Sequence, residues 1–311
     1  MALPVCLAIL RNRVSRPMNS SLRPGIAGEP AILSGLGDIA GDYDSLFCDV
    51  WGVLHDGRSA RARAVEALRR FRAMRGPVVL LSNAPRPAKD LEAQFARLGV
   101  PLDCYDCILT SGMLARDDLA RRAGERILPI FHIGPERDGG VFAGLSVRTT
   151  GIAEAEVALC TGLFDDDRET PEDYRTTLAE LRKRELTLLC ANPDILVQRG
   201  ETLVYCAGAL ARLYDEMGGK SVYYGKPHAP IYAEALARAG EIAKSTSLRV
   251  LVLGDGLETD IRGANAAGLD SVFIADGVHG EDIRELTPQA LGVLFARMGV
   301  TARGALRALV W

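Results

Sequence analysis

The strongest constraint on this chain is a set of short apolar runs that each stop at a polar group. Leu46-Phe-Cys-Asp-Val50 carries a carboxylate near its end, Val78-Val-Leu-Leu81 runs into Ser82-Asn83, and Val250-Leu-Val-Leu253 runs into Gly254-Asp255-Gly256. Continuous apolar runs of this length suit strands buried on both faces. Between the first two, residues 60–74 place Ala64, Val65, Leu68 and Phe71 at helical spacing. After the second, Pro85 and Pro87 open a helix with Leu91, Phe95 and Leu98 on one face and Gly99 at its end. The grammar returns late in the chain, with a helix over 230–243, a strand over 250–253, a helix over 259–267 and a strand over 271–274. Such alternation predicts an α/β fold, a doubly wound, Rossmann-like parallel sheet covered on both faces. Ligands of open α/β sheets gather at the carboxyl ends of the strands, which is where these polar groups fall.

A second set of elements occupies the middle of the chain. Residues 127–133, 157–160 and 186–190 read as strands, and 114–122 and 171–184 as helices. A chain of 311 residues is long enough for about two domains. The order predicts that one interrupts the other: core over 31–109, an inserted α/β cap over 110–222, and core again over 223–311. The tail, 287–311, reads as one or two amphipathic helices. Residues 1–30 hold Arg11, Arg13, Arg16 and Arg23 and no acid before Glu29. They read as a disordered extension or a start placed ahead of Met18; an organelle-targeting presequence is the alternative.

Several classes fall away. A net charge of -3 carries no basic footprint for nucleic acid, and no apolar run approaches the ~20 residues of a membrane span. Seven scattered cysteines do not form a disulfide framework, so a reducing cytoplasm is expected. Cys104-Tyr-Asp-Cys107 has no second ligand pair for zinc. Gly35-Leu-Gly37 fits a dinucleotide fingerprint, but Gly41, Asp42 and Asp44 end any helix behind it. Gly219-Lys220-Ser221 lacks the leading P-loop glycine, since position 214 is Tyr214. His132 and His279 have no spaced partners and read as structural.

Four pieces remain: Asp49 with Trp51-Gly52-Val53, Ser82-Asn83, Gly225-Lys226-Pro227, and Asp255 with Asp260. Each alone has a plain alternative. Asp49 could cap a turn, Ser82-Asn83 could cap a helix, Lys226 could be a solvated turn residue, and Asp255 a loop acid. In this order they resemble the four motifs of the haloacid dehalogenase superfamily of phosphotransferases. The insert lies between the second and third motifs, and Ala191-Asn192-Pro193-Asp194 with Gly208-Ala209-Leu210 is similar to the NagD-like class IIA branch, over about 46–280. That resemblance implies an Mg²⁺-dependent phosphatase of a sugar phosphate, a nucleotide or a pyridoxal phosphate. Its nucleophile is Asp49. Asp49, the Trp51 carbonyl, Asp255 and Asp260 hold the metal, and Lys226 neutralises charge. The Gly52 turn, Ser82 and Asn83 bind the phosphoryl oxygens, and Asn192 and Asp194 line the site from the cap.

The residue chemistry supports this independently. A carboxylate can attack phosphorus and form an aspartyl-phosphate. Carboxylate and phosphate repel, so a hard divalent cation is needed, and Mg²⁺ takes one or two carboxylates plus phosphate oxygen. One position departs from the family pattern. Phosphatases of this superfamily usually carry Asp two residues after the nucleophile as general acid and base; here it is Trp51. General acid–base help is worth about 10²–10⁴-fold. His55 has the right intrinsic pKa to stand in, or it packs in the flap beside the site. Trp51 could stack on an aromatic or sugar ring. The acids Asp165-Asp166-Asp167 could bind substrate hydroxyls or form a solvated loop. Two further functions stay open: a degenerate ligand-binding or regulatory protein, and phosphotransfer to an acceptor other than water. The apolar cap strands and the tail ending at Trp311 could also pair two subunits in a homodimer.

Overall fold

The computed structural model describes residues 30–199, 202–277 and 286–311. The readings for the first 29 residues and for His279 lie outside them. In chain order the core opens with β1 (Ala31–Ile32), β2 (Ser45–Asp49), α1 (Ala62–Met74), β3 (Val78–Ser82), α2 (Ala88–Leu98) and β4 (Cys107–Thr110). Then follow α3 (Ser111–Ala123), β5 (Leu128–Ile133), β6 (Val147–Thr149), β7 (Val157–Cys160), α4 (Arg175–Lys183) and β8 (Thr187–Cys190). A hairpin of β9 (Leu196–Arg199) and β10 (Thr202–Tyr205) precedes α5 (Ala207–Glu216) and β11 (Lys220–Tyr223). The chain ends with α6 (Ala229–Ala243), β12 (Val250–Gly254), α7 (Arg262–Ala266), β13 (Asp270–Ile274), α8 (Pro288–Met298) and β14 (Gly304–Leu306).

The large sheet has the order β1-β14-β13-β12-β2-β3-β4, and every pairing in it is parallel. Successive strand residues face opposite sides, and the packing follows. Leu46, Cys48, Val78, Leu80, Leu251 and Leu253 join Leu68 and Phe71 of α1 and Leu91 and Phe95 of α2. Phe47, Val79, Leu81, Val250 and Val252 turn the other way, onto Ile231, Tyr232 and Ala235 of α6. Both faces are covered, so these strands are apolar throughout. Strand order reverses between β2 and β12, and the crevice at that point holds the ends of the first and last motifs.

A second parallel sheet, β11-β8-β7-β5-β6, is built from the chain between α3 and α6. Cys160 and Cys190 end adjacent strands as small buried hydrophobes. Ser111 at the start of α3 donates its hydroxyl to the carbonyls of Ala84 and Ala191, tying the core to this cap.

The tail departs from the sequence expectation. It contains one helix, α8, and then the strand β14, which completes the core sheet between β1 and β13. Helical periodicity ends at Gly299, whose left-handed backbone caps α8. Beyond it Ala305, Leu306 and Leu309 are buried. A side chain at Gly304 would meet the Ala31 backbone, so glycine permits the close pairing with β1. The three-residue run is too short for an alternation signal to register. Gly35 and Gly37 lie against Trp311, so this glycine pair packs on a tryptophan rather than on a dinucleotide.

Candidate active site

β2 ends on Asp49, and the chain then reverses in a tight turn in which Leu54 and His55 donate their N–H groups to the Val50 carbonyl. Gly52, at φ +80, also donates its N–H to the His55 carbonyl. β12 ends on Gly254, and Asp255 follows. The next residues, Leu257–Ile261, wind as a π turn before α7 instead of a regular helix. This wider turn, a form frequent at functional sites, brings Asp260 back over the loop. Its Oδ2 accepts the Gly256 N–H at 3.1 Å, and a side chain at Gly254 would overlap it. Tyr232 of α6 holds the same loop from beneath, donating its hydroxyl to the Asp260 carbonyl at 3.2 Å.

Lys226 enters from the loop between β11 and α6. Its ammonium, 3% exposed as a residue, donates to Asp260 Oδ1 at 2.6 Å and to Asp49 Oδ1. Asp49, Asp255 and Asp260 are buried and bring carboxylate oxygens within 4.8 Å of one another. Burial pushes the Asp49 carboxyl up; the Lys226 ammonium opposes this and the Asp255 charge adds to it, leaving Asp49 at about 7. Burial likewise raises Asp260 to about 6, with Asp49 adding to the rise and Lys226 opposing it. Burial alone would drive the Lys226 ammonium down, but Asp260 and Asp49 reverse this and hold it well above its ordinary value.

This donor set fits a divalent cation. Three carboxylates face one ammonium, which leaves two negative charges when all are ionised, and a divalent ion cancels both. The ligands are hard oxygens, the preference of Mg²⁺. Backbone is cut away to make room for Asp255: a side chain at Gly52 or at Gly277 would overlap its carboxylate. Asp260 is engaged by Lys226 and the Gly256 N–H, and Asp49 by Lys226; oxygens of all three carboxylates stay close enough to share one ion.

Several sequence expectations change in role. The Gly52 N–H is bonded to His55, so it is not a phosphate donor; the glycine is needed for its left-handed backbone and its approach to Asp255. His55 does not face the carboxylates as a proton shuttle. Its ring is 2% exposed, lies edge-on to Trp51 and Phe95, and takes the Gly57 N–H on Nδ1 at 3.1 Å. Burial lowers its pKa. It plugs the turn, packed between Trp51 and Phe95, rather than serving as the acid–base group expected from the sequence.

The Asn83 side chain is a clamp. Its Oδ1 accepts the Lys226 N–H at 2.7 Å, and its Nδ2 donates to the Lys226 carbonyl at 3.0 Å and to Asp194 Oδ1 at 2.8 Å. Asp194 is thus spent on Asn83, and its carboxyl is raised chiefly by burial. Asn192 in turn accepts the Asp194 N–H. These two cap residues, expected to touch substrate, position Lys226 through Asn83. Ser82 accepts the Ala84 N–H at 3.2 Å, which leaves its hydroxyl proton to donate. Trp51 is 37% exposed, its indole lying against Gly57.

Among the acids of the cap loop, Asp166 pairs with Arg137 and Arg199, and Asp167 with Arg199. They bind the loop to β9. Sequence reading missed Gly277 and Tyr232. A lone glycine after a strand carries no signal of the Asp255 carboxylate it admits, nor a tyrosine in an amphipathic helix of the Asp260 backbone it holds.

Comparison with known proteins places this arrangement. Residues 46–143 match a model for haloacid dehalogenase-like hydrolases, and 223–294 match a second model of that kind. A solved haloacid dehalogenase-like hydrolase from Brucella suis 1330 is 44% identical, with TM-score 0.78, over 89% of this chain and 99% of that one. The chain belongs to the haloacid dehalogenase-like hydrolases. Ribonucleotide monophosphatase NagD of Escherichia coli K12 is 27% identical over 76% of this chain and 90% of its own length. D-glycerol 3-phosphate phosphatase of Mycobacterium tuberculosis is 28% identical over 78% of this chain. The match spans 65% of that enzyme, slightly less than two thirds. A glycerol phosphate phosphatase from the same organism, solved with magnesium, is 26% identical with TM-score 0.59, over 77% of this chain and 70% of that one. Among the described residues, no helix is long and apolar enough to cross a membrane.

Proposed function

We propose that this hydrolase is an Mg²⁺-dependent phosphatase of small phosphorylated metabolites that works through an aspartyl-phosphate on Asp49. The observation that carries this is Lys226, buried between Asp49 and Asp260 beside Asp255. An ammonium fixed on the nucleophile's own carboxylate aligns it and meets the charge that develops on the phosphoryl oxygens. Asp49 and Asp255, with the Trp51 carbonyl, would hold Mg²⁺, which supplies Lewis-acid neutralisation of the phosphate charge. The Asn83 side chain keeps Lys226 in place, and the Ser82 hydroxyl and the Asn83 backbone N–H would bind a second phosphoryl oxygen. Burial of all four charged groups excludes water and strengthens each interaction.

Sugar phosphates, nucleotides and pyridoxal phosphate are the substrate types that the resemblance and the relatives' activities support. Six unpaired thiols among the described residues support a cytoplasmic setting. The exposed apolar face of the hairpin, with Leu196, Leu203 and Tyr205, supports pairing of two subunits. Trp51 favours a second reading, phosphate and metal binding without turnover or phosphotransfer to an acceptor other than water, since an indole activates no water. A phosphate-release screen with Mg²⁺ separates them. Wild type should release phosphate from at least one monoester and Asp49→Asn from none. Equal release by both proteins across a broad panel would overturn the phosphatase reading.

A further inference from the structure

Resting on that phosphatase reading, we propose that Asp118 and Tyr224 are positioning residues: the bond between them locks the two crossings from core to cap together and so keeps the Lys226 ammonium on Asp49. The chain passes between the two sheets twice, from β4 into α3 and from β11 into α6. The second crossing is residues 224–228, so Lys226 stands in the connector itself. Its aim depends on what anchors that connector.

Helix α3 packs on both halves of the molecule. Met113 and Leu114 lie against the core cluster that holds Ile231 of α6, while Ala115 and Leu119 pack in the cap cluster with Ile130. Asp118 sits on this helix and is buried. Tyr224, also buried, sets its ring in the same cap cluster and donates its hydroxyl to Asp118 Oδ2. Arg122 donates to that oxygen at 2.7 Å, and Arg121 reaches Oδ1 at 2.8 Å. A carboxylate taken out of water needs such partners, and a hydroxyl bonded to an ionised oxygen is held more strongly than in a neutral pair.

Gly225 alone separates Tyr224 from Lys226, and it is tightly enclosed: a side chain there would overlap Asn83 Oδ1 and Pro193. Asn83 grips the Lys226 N–H and carbonyl from the core. With that anchor alone the connector could pivot about Lys226; the Tyr224 anchor on α3 removes this freedom. Misplacing a reacting group by about 1 Å can cost 10²-fold in rate, so a second anchor this close to the ammonium has a catalytic consequence. The neighbouring Tyr223 makes a similar bond, to Asp215 Oδ2 at 2.7 Å. Asp215 belongs to α5, within the cap, so that bond does not join the crossings and supplies the control.

Tyr224→Phe keeps the ring and removes the hydroxyl. The test measures kcat and KM for p-nitrophenyl phosphate and glycerol phosphate at saturating Mg²⁺, together with hydrogen exchange of the Lys226 amide. In Tyr224→Phe, kcat should fall about tenfold to 10²-fold on both esters, with KM changed less than about twofold. Exchange at the Lys226 amide should quicken about tenfold, the weight of one charge-assisted bond. Asp118→Leu should behave alike, whereas Asp118→Asn, which keeps an acceptor for the hydroxyl, should retain kcat within about threefold. Tyr223→Phe should leave kcat, KM and the Lys226 amide unchanged. Wild-type kcat in Tyr224→Phe, a loss of kcat without faster exchange at Lys226, or an equal loss in Tyr223→Phe would overturn the proposal and leave the phosphatase reading standing. Absence of Asp49-dependent phosphate release from either ester in the wild type would remove that reading and this proposal with it.

Discussion

Replacing Lys226 with methionine keeps the stem and removes the ammonium that holds Asp49 and Asp260 together. Both carboxylates are buried, and among the described residues Lys226 is the cation that pairs with them. Breaking a buried ion pair by removing one partner costs about 3–5 kcal/mol. For a chain of this size each kcal/mol lowers Tm by about 2–4 °C, so Lys226→Met should melt about 10 °C below wild type at pH 8 without metal. The loss must depend on pH with a definite sign. Both carboxyls stand above their unfolded value of ~3.9, at about 7 for Asp49 and about 6 for Asp260. Such groups favour the fold below the unfolded pKa and lose that contribution as pH rises through the folded one. Lys226 lowers both, so without it the folded values climb further and the penalty deepens above pH 7. At pH 5.5 the carboxyls are neutral in the variant, and the deficit should shrink to less than half. Saturating Mg²⁺ should also narrow it at pH 8. Thermal melts at pH 5.5 and 8, with and without Mg²⁺, decide the matter. Equal deficits at the two pH values would refute the electrostatic account of Lys226.

Mg²⁺ must displace protons from the cluster, so its affinity should weaken about tenfold per pH unit below 6; titration calorimetry at pH 5.5, 6.5 and 7.5 measures this, and a flat affinity contradicts it. In Gly277→Ala the new methyl overlaps the Asp255 carboxylate, so Mg²⁺ affinity should fall at least tenfold while far-UV circular dichroism is unchanged. Unaltered affinity would remove Asp255 from the metal site. Asn83→Ala strips partners from the buried Lys226 backbone and from Asp194, which should cost about 2–4 kcal/mol in denaturant melts and lower kcat more than KM. A stable variant with normal kcat would show that Lys226 is held by something else.

The α/β core was readable because its signal is dense. Runs such as Val78-Val-Leu-Leu81 are apolar on both faces, and the helices between them repeat Leu and Phe at a regular spacing. β14 was not readable: three residues, one of them glycine, offer no periodicity, and their burial comes from β1 and β13. In the site, residue type and chain position carried Asp49, Lys226, Asp255 and Asp260 into one cluster. What stayed hidden was how neighbours use the remaining hydrogen bonds. Gly52, Asn83 and Asp194 all belong to the motifs, yet the Gly52 N–H goes to His55 and the Asn83 amide joins Lys226 to Asp194. The Asn83 bonds link residues more than 100 positions apart, which local patterns do not register. His55 shows the same limit, since a suitable intrinsic pKa says nothing of a ring turned toward Phe95.

The central claim is that the Asp49 carboxylate takes the phosphoryl group. Acid quenching of the enzyme during turnover with Mg²⁺ and p-nitrophenyl phosphate, followed by peptide mass spectrometry, tests it directly. The account predicts an acid-stable, hydroxylamine-sensitive phosphate on Asp49 in wild type, absent in Asp49→Asn and in enzyme stripped of metal. Steady phosphate release from an enzyme whose Asp49 stays unmodified, persisting in Asp49→Asn, would contradict it.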